Sequence, residues 1–273
     1  MAQSDPTAKG RVLIIAGSDS GGGAGIQADI KTVTALGGFA MTAVTAVTVQ
    51  NTVGVTDVHA VPPAIVTAQI EAVMSDLGAD VWKIGMMGSA AHVRAVMEAW
   101  YAFGGGAPVV LDPVMIAKGG ASLLADDAVA VIRDELMPVA AIVTPNAPEA
   151  EALTGAPVRD LEGQRRAAEI LVRKLGAYSA LVKGGHVEGD IIRDVLLTRE
   201  GERIFESPRI DTLATHGTGC TLASAIATHM ALGEPMEVSV ERARRYLMEA
   251  IRRAPGFGRG CQPLGHNWPL KLA

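Results

Sequence analysis

The 273-residue chain is 49% apolar, 19% charged and 4% aromatic, a composition that excludes a disordered polypeptide and allows one large α/β domain. Its net charge of −5 repels nucleic acid and anionic membrane surfaces, although a local pocket can still be positive. Only Cys220 and Cys261 carry thiols; they make no disulfide framework, so a reducing cytoplasm is the expected compartment.

Residues 1–10 hold no apolar run of the signal-peptide kind and are expected to be disordered. Residues 12–16 form a short apolar run that reads as a buried strand. Ile26, Ile30, Val33 and Leu36 recur at helical spacing until Gly37-Gly38 stops the helix. Residues 42–49, rich in Thr and Val, predict a second strand. The uncharged stretch 32–56 contains seven Thr and three Gly, so it reads as helix end, turn and strand, not as a membrane span. Val66, Ile70, Val73 and Leu77 mark a helix after Pro62-Pro63. Residues 81–84 predict a strand, Val93, Val96, Met97 and Trp100 a helix, 109–111 a strand and 127–136 a helix. A strand at 141–143 leads to a helix from Ala147, another helix covers 161–175, and Leu181-Val182 end a strand. Residues 191–198 and 203–206 flank Glu200-Gly201 as a hairpin. Helices at 221–231 and 238–253 precede a tail rich in Gly and Pro.

This alternation predicts a single domain, residues 1–273, with a mostly parallel sheet covered by helices on both faces. Ligands of such sheets sit at the carboxyl ends of the strands. Gly17-Ser18-Asp19, Gln50-Asn51, Gly85-Met86, Asp112-Pro113, Thr144-Pro145-Asn146 and Lys183-Gly184-Gly185-His186 all fall there, so a small-molecule site is expected at that edge.

No Gly-Lys dipeptide occurs, which excludes a Walker A loop, and HExxH and GxSxG are absent. Gly23-Ala24-Gly25-Ile26-Gln27-Ala28 fits a loose GxGxxA, but the acidic residue expected about 20 positions later is missing; a Gly-rich turn into a helix explains it. His216-Gly217-Thr218-Gly219-Cys220 precedes a helix of small residues. Free N–H groups at such a start form an anion site and would lower the Cys220 pKa toward thiolate; a plain loop-to-helix turn with a buried Cys is the alternative. Asn146 and Glu149 have the spacing of a capping box, and the same groups could help hold Mg²⁺ near phosphates, through water. Lys183 either neutralises a phosphate or ends a strand in solvent. Asp112 either acts on a metal or caps a turn. The Gln50 amide can pair with a ring nitrogen and its neighbouring amino group, or with backbone. Arg242, Arg244, Arg245, Arg252 and Arg253 read as a solvated helix face.

Taken together, residues 16–20 and 22–29, Lys83-Ile84-Gly85-Met86, Leu111-Asp112-Pro113-Val114-Met115, Thr144-Pro145-Asn146 with Pro148-Glu149-Ala150, Lys183-Gly184-Gly185-His186 and residues 215–221 resemble one family. It is the hydroxymethylpyrimidine/phosphomethylpyrimidine kinase family of thiamine biosynthesis, in the ribokinase-like superfamily, and the resemblance covers nearly the whole chain. It implies a ribokinase-like fold, ATP and Mg²⁺ as donor and cofactor, an aminopyrimidine substrate phosphorylated twice, and a cytoplasmic homodimer. By motif position, Gly17, Asp29, Gln50 and Met86 match the pyrimidine pocket. Gly217, Gly219 and Cys220 match the anion hole, with Thr218 beside the nucleotide. Lys183 matches the phosphate-contacting lysine, and Asn146 and Glu149, with Asp112, the Mg²⁺-associated groups. A thiolate at Cys220 could take the hydroxyl proton in the first transfer, and a neutral thiol would suit the second. Pyridoxal kinase, from the same superfamily, and a non-catalytic pyrimidine-binding sensor are the alternatives. The tail departs from the family: Cys261 and Gln262 stand where His and Gly are usual, which weakens any role for it, and Arg259 is a weak phosphate candidate.

Overall fold

The computed structural model describes residues 10–115 and 126–270; the N-terminal stretch expected to be disordered lies, up to residue 9, outside them. The strands are β1 (Arg11–Asp19), β2 (Phe39–Gln50), β3 (Val55–Ala60), β4 (Val81–Ile84), β5 (Val109–Leu111), β6 (Ala140–Val143), β7 (Ala180–Val182), β8 (Ile191–Leu197) and β9 (Glu202–Pro208). The helices are α1 (Gly25–Ala35), α2 (Pro63–Asp76), α3 (Ala90–Phe103), α4 (Asp126–Val131), α5 (Ala147–Thr154), α6 (Leu161–Glu169), α7 (Thr218–Ala231) and α8 (Met236–Arg252). π-helical turns at Ile132–Leu136 and Ile170–Lys174 prolong α4 and α6 to the ends that the periodicity predicts. β3 is absent from the sequence reading. Its side chains are nearly all exposed, so it has no buried face to pattern the sequence.

One sheet runs β3-β2-β1-β4-β5-β6-β7-β8-β9. It is parallel from β2 through β7 and antiparallel at both margins, where β3 pairs with β2 and the β8–β9 hairpin adds to β7. Because strand side chains alternate, Leu13 and Ile15 of β1 enter a core with Val66, Val93 and Leu171 of α2, α3 and the extension of α6. Val12, Ile14 and Ala16 enter the opposite core with Val33, Ala223 and Val240 of α1, α7 and α8. The strand order reverses at β1, whose neighbours are β2 and β4. Adjacent chains leave that point in opposite directions and open a crevice outside the carboxyl ends.

Candidate active site

A cavity of about 430 Å³ occupies this crevice. Of the residues matched by motif, Gly17, Gln50, Met86, Asp112, Asn146, Glu149, Lys183, Gly217, Thr218, Gly219 and Cys220 all line it. Asp29 does not.

The floor is the start of α7. Gly217 precedes that helix at φ +78°, a left-handed conformation that favours glycine, and a Cβ there would run into the Gly23 carbonyl oxygen. The helix therefore starts at Thr218, earlier than hydropathy predicts. Its first main-chain bond is from Thr221 N–H to Gly217 O at 2.9 Å. The N–H groups of the first turn have no partner within the helix, and those of residues 218–220 border the cavity, which suits an anion.

Beside the floor lies a charged cluster. Lys183 Nζ is 3.3 Å from Asp112 Oδ1 and 4.0 Å from Glu149 Oε2. The lysine's main chain is pinned by its own N–H to Pro145 O and by Gly184 N–H to Asp194 Oδ1. Asn146 and Glu149 do form the reciprocal capping box of α5, at 2.8 and 2.9 Å. The cap thus orients Glu149 toward Lys183, and the capping-box reading of the pair holds. Burial, with Asp112 as a second cause, pushes the Glu149 carboxyl up to about 7 against the opposing pull of Lys183. Asp112 is 1% exposed and its Oδ2 has no hydrogen-bond donor among the described residues.

Asp29 lies beneath the cavity wall. It is fully buried, and Lys83 Nζ donates to both its oxygens at 2.9 and 3.1 Å while Ser224 Oγ donates at 2.7 Å. The motif position suggested substrate contact; the structure instead gives Asp29 the task of neutralising Lys83. Alternation on β4 explains this, because Lys83 shares the face of Val81 and points at α1 and α7. Lys83, which borders the cavity, is the main residue that sequence reasoning undervalued. The signal was a lone charge inside the apolar strand Val81–Ile84, which demands a partner.

The surroundings of Cys220 do not favour the thiolate that its place at a helix start suggests. Burial, aided by Asp29 and Asp112, pushes the thiol up to about 12, outweighing Lys83 and the Gly25 N–H hydrogen bond that favour the anion.

Opposite the floor, Ser20 Oγ bonds both the Gln50 carbonyl and N–H, at 2.8 and 2.9 Å, which sets the strand end that carries the Gln50 amide. Gly17 leaves room for Met86, whose sulfur would sit 2.9 Å from a Cβ at that position. Arg244 corrects the solvated-face reading of α8. It is largely buried and bonds Asp194 at 2.7 Å, and both residues line the cavity.

A model of the family described as phosphomethylpyrimidine kinase matches residues 19–265. The chain belongs to this family. The kinase is 51% identical to the thiamine biosynthesis bifunctional protein ThiED of Geobacter sulfurreducens, over 96% of the chain and 53% of the relative, so it spans about half of that protein. It is 45% identical to a hydroxymethylpyrimidine/phosphomethylpyrimidine kinase of Haemophilus influenzae, over 94% of the chain and 96% of the relative. A solved ADP complex of Bacillus subtilis pyridoxal kinase superposes with a TM-score of 0.87 at 30% identity, over 95% of the chain and 98% of that structure. The fold is ribokinase-like as expected, and the sequence stands nearer the pyrimidine kinases than the pyridoxal kinase.

Proposed function

We propose that this chain transfers the γ-phosphoryl group of ATP to 4-amino-5-hydroxymethyl-2-methylpyrimidine, and then phosphorylates the monophosphate to the diphosphate. The observation that carries this reading is that one cavity is lined by the open start of α7, by Lys183 and by Gln50. A phosphoryl group on the floor and a ring on the Gln50 wall would meet inside it. ATP as donor is supported by the ADP held by the similar pyridoxal kinase.

Among the described residues no group of three His, Cys, Asp or Glu could hold a metal by itself. Mg²⁺ does not need one, since it keeps several waters and bridges phosphates through one or two carboxylates. The unpartnered Asp112 Oδ2 and the nearby Glu149 carboxyl fit that role. When bound there, Mg²⁺ would offset charge on the donor phosphates.

The remaining chemistry belongs to the chain. Lys183 opposes negative charge on the transferring group, and the N–H groups of α7 donate to its oxygens, whose charge is spread during transfer. In the first transfer, the bond from the hydroxymethyl oxygen to the γ-phosphorus forms as the bond to the leaving diphosphate breaks. In a loose transition state the acceptor loses its proton late, to an oxygen of the transferred phosphoryl group, so the neutral Cys220 thiol need not be a ground-state base. In the second transfer an uncharged thiol does not repel the phosphate acceptor.

A homodimer is supported by exposed Val47 and Val49 on one face of β2, beside the open edge strand β3. Among the described residues no helix is long and apolar enough to cross a membrane, and both cysteines are free, which supports a cytoplasmic enzyme.

The test is ADP release with Mg-ATP and either the hydroxymethylpyrimidine or pyridoxal, with products resolved by mass. Monophosphate followed by diphosphate, with the pyrimidine alone, is the expected outcome. Turnover with pyridoxal alone would assign the site to that substrate, and binding without turnover would make the protein a sensor.

A further inference from the structure

We propose that His216, held by Asp19, is a positioning residue that fixes the anion hole of α7 against the pyrimidine-binding wall. Asp19 ends β1 and is 1% exposed. Its Oδ1 accepts from Gly21 N–H at 2.7 Å, and its Oδ2 from Gly23 N–H at 3.0 Å and Ala24 N–H at 2.8 Å. His216 Nε2 also meets Oδ2, at 2.9 Å. Every partner on this carboxylate must donate, so His216 carries its proton on Nε2. Burial alone would raise the Asp19 carboxyl, but His216 and the surrounding N–H groups hold it below its ordinary value, so it stays charged.

His216 immediately precedes Gly217, whose Cα is packed against the Gly23 carbonyl. Gly25 N–H reaches the Cys220 thiol from the same loop. Residues 19–25, which follow the Gly17 wall, are thereby tied at three points to the start of α7. A further tie comes from the C-terminal tail. His216 N–H donates to Gln262 O at 3.1 Å, while Cys261 N–H donates to Thr52 O at 2.8 Å, two residues beyond Gln50. The tail thus spans from the Gln50 strand end to His216. It does so through main-chain groups, which do not depend on the side chains of Cys261 and Gln262.

The consequence is a set distance between the acceptor oxygen on one wall and the phosphoryl group on the floor. A misplacement of about 1 Å costs on the order of a hundredfold in rate, so His216 acts on turnover through the groups it holds and not by touching substrate.

This inference rests on the kinase reading above, and wild-type turnover of the hydroxymethylpyrimidine with Mg-ATP is measured alongside. Two variants are compared in the full chain. His216→Ala removes the contact, and Gly23→Ala leaves every hydrogen-bonding group in place but drives a methyl into His216 Cδ2. Both are expected to lower kcat by about tenfold to a hundredfold in each transfer, with KM for ATP and pyrimidine changed by less than about threefold. His216→Gln, which keeps an N–H donor, is expected to recover part of the loss. An unchanged kcat per folded molecule, with only a lower Tm, would reduce His216 to a structural role and overturn the proposal. So would a raised KM at constant kcat, which would make His216 a direct ligand. If His216→Ala does not fold, Gly23→Ala decides. A wild type without turnover overturns the kinase reading and this inference together; a wild type that turns over beside unaffected variants overturns the inference alone.

Discussion

Two ionisable side chains beside the cavity show how burial and partners set protonation. Cys220 stands at a helix start, where a thiolate is favoured, yet the thiol is pushed up to about 12 by desolvation. Lys83 stays charged in the same interior because Asp29 neutralises it, at 0% exposure for both side chains. The pair costs desolvation to form, but breaking it is worse, since the survivor is left charged and alone. Lys83→Met is therefore expected to destabilise the fold by about 3–5 kcal/mol. Replacing both partners, as Lys83→Met with Asp29→Leu, should recover much of that loss. Urea denaturation of the single and double variants checks this, and a double variant no more stable than the single would show that the pair's cost is not that of an orphaned charge.

Helix α7 is braced from the tail as well as from the Gly-rich loop. Thr221 Oγ1 meets His266 Nε2 at 3.0 Å in a buried contact, and the Tyr246 hydroxyl donates to the His266 carbonyl at 2.7 Å. Burial, followed by the charge of Lys31, lowers His266 to about 4. The unfolded imidazole titrates near 6.5. Between those values the unfolded chain binds the extra proton, so this stabilisation is complete above about pH 6.5 and is lost as pH falls toward 4. Wild type should lose on the order of 2 kcal/mol more than His266→Gln between pH 7 and pH 4.5. Comparing the two removes the opposing titration of Glu149, which is raised. A difference between them that stays constant with pH would contradict the assignment. Much of this architecture was legible in the sequence: the bounds of β4 and β5 agree with their apolar runs, and the α5 capping box follows from Asn146 and Glu149 three apart. The early start of α7 was not legible, because it depends on Gly217 being pressed against Gly23, far away along the chain.

At the scale of the whole molecule, the sheet ends in an open β3 edge, with Val47 and Val49 exposed at 46% and 56% on its neighbour β2. A second copy over this patch would bury apolar area worth about 25 cal/mol per Å². If the proposed homodimer packs on this face, Val47→Glu with Val49→Glu is expected to yield a monomer in sedimentation equilibrium. An unchanged mass would place the dimer contact elsewhere, and a monomeric wild type would remove the dimer altogether.

The amino-acid sequence by itself determined the α/β alternation, the crowding of polar and Gly-rich turns at one sheet edge, and the family, since each rests on short-range patterns of hydropathy and residue type. Tertiary structure alone decided that Asp29 serves Lys83, that Arg244 faces inward, that burial pushes the Cys220 thiol up, and that the tail reaches His216. Each of these depends on which distant groups share a buried volume. Desolvation and pairing energies are properties of that volume, and no local spacing encodes them.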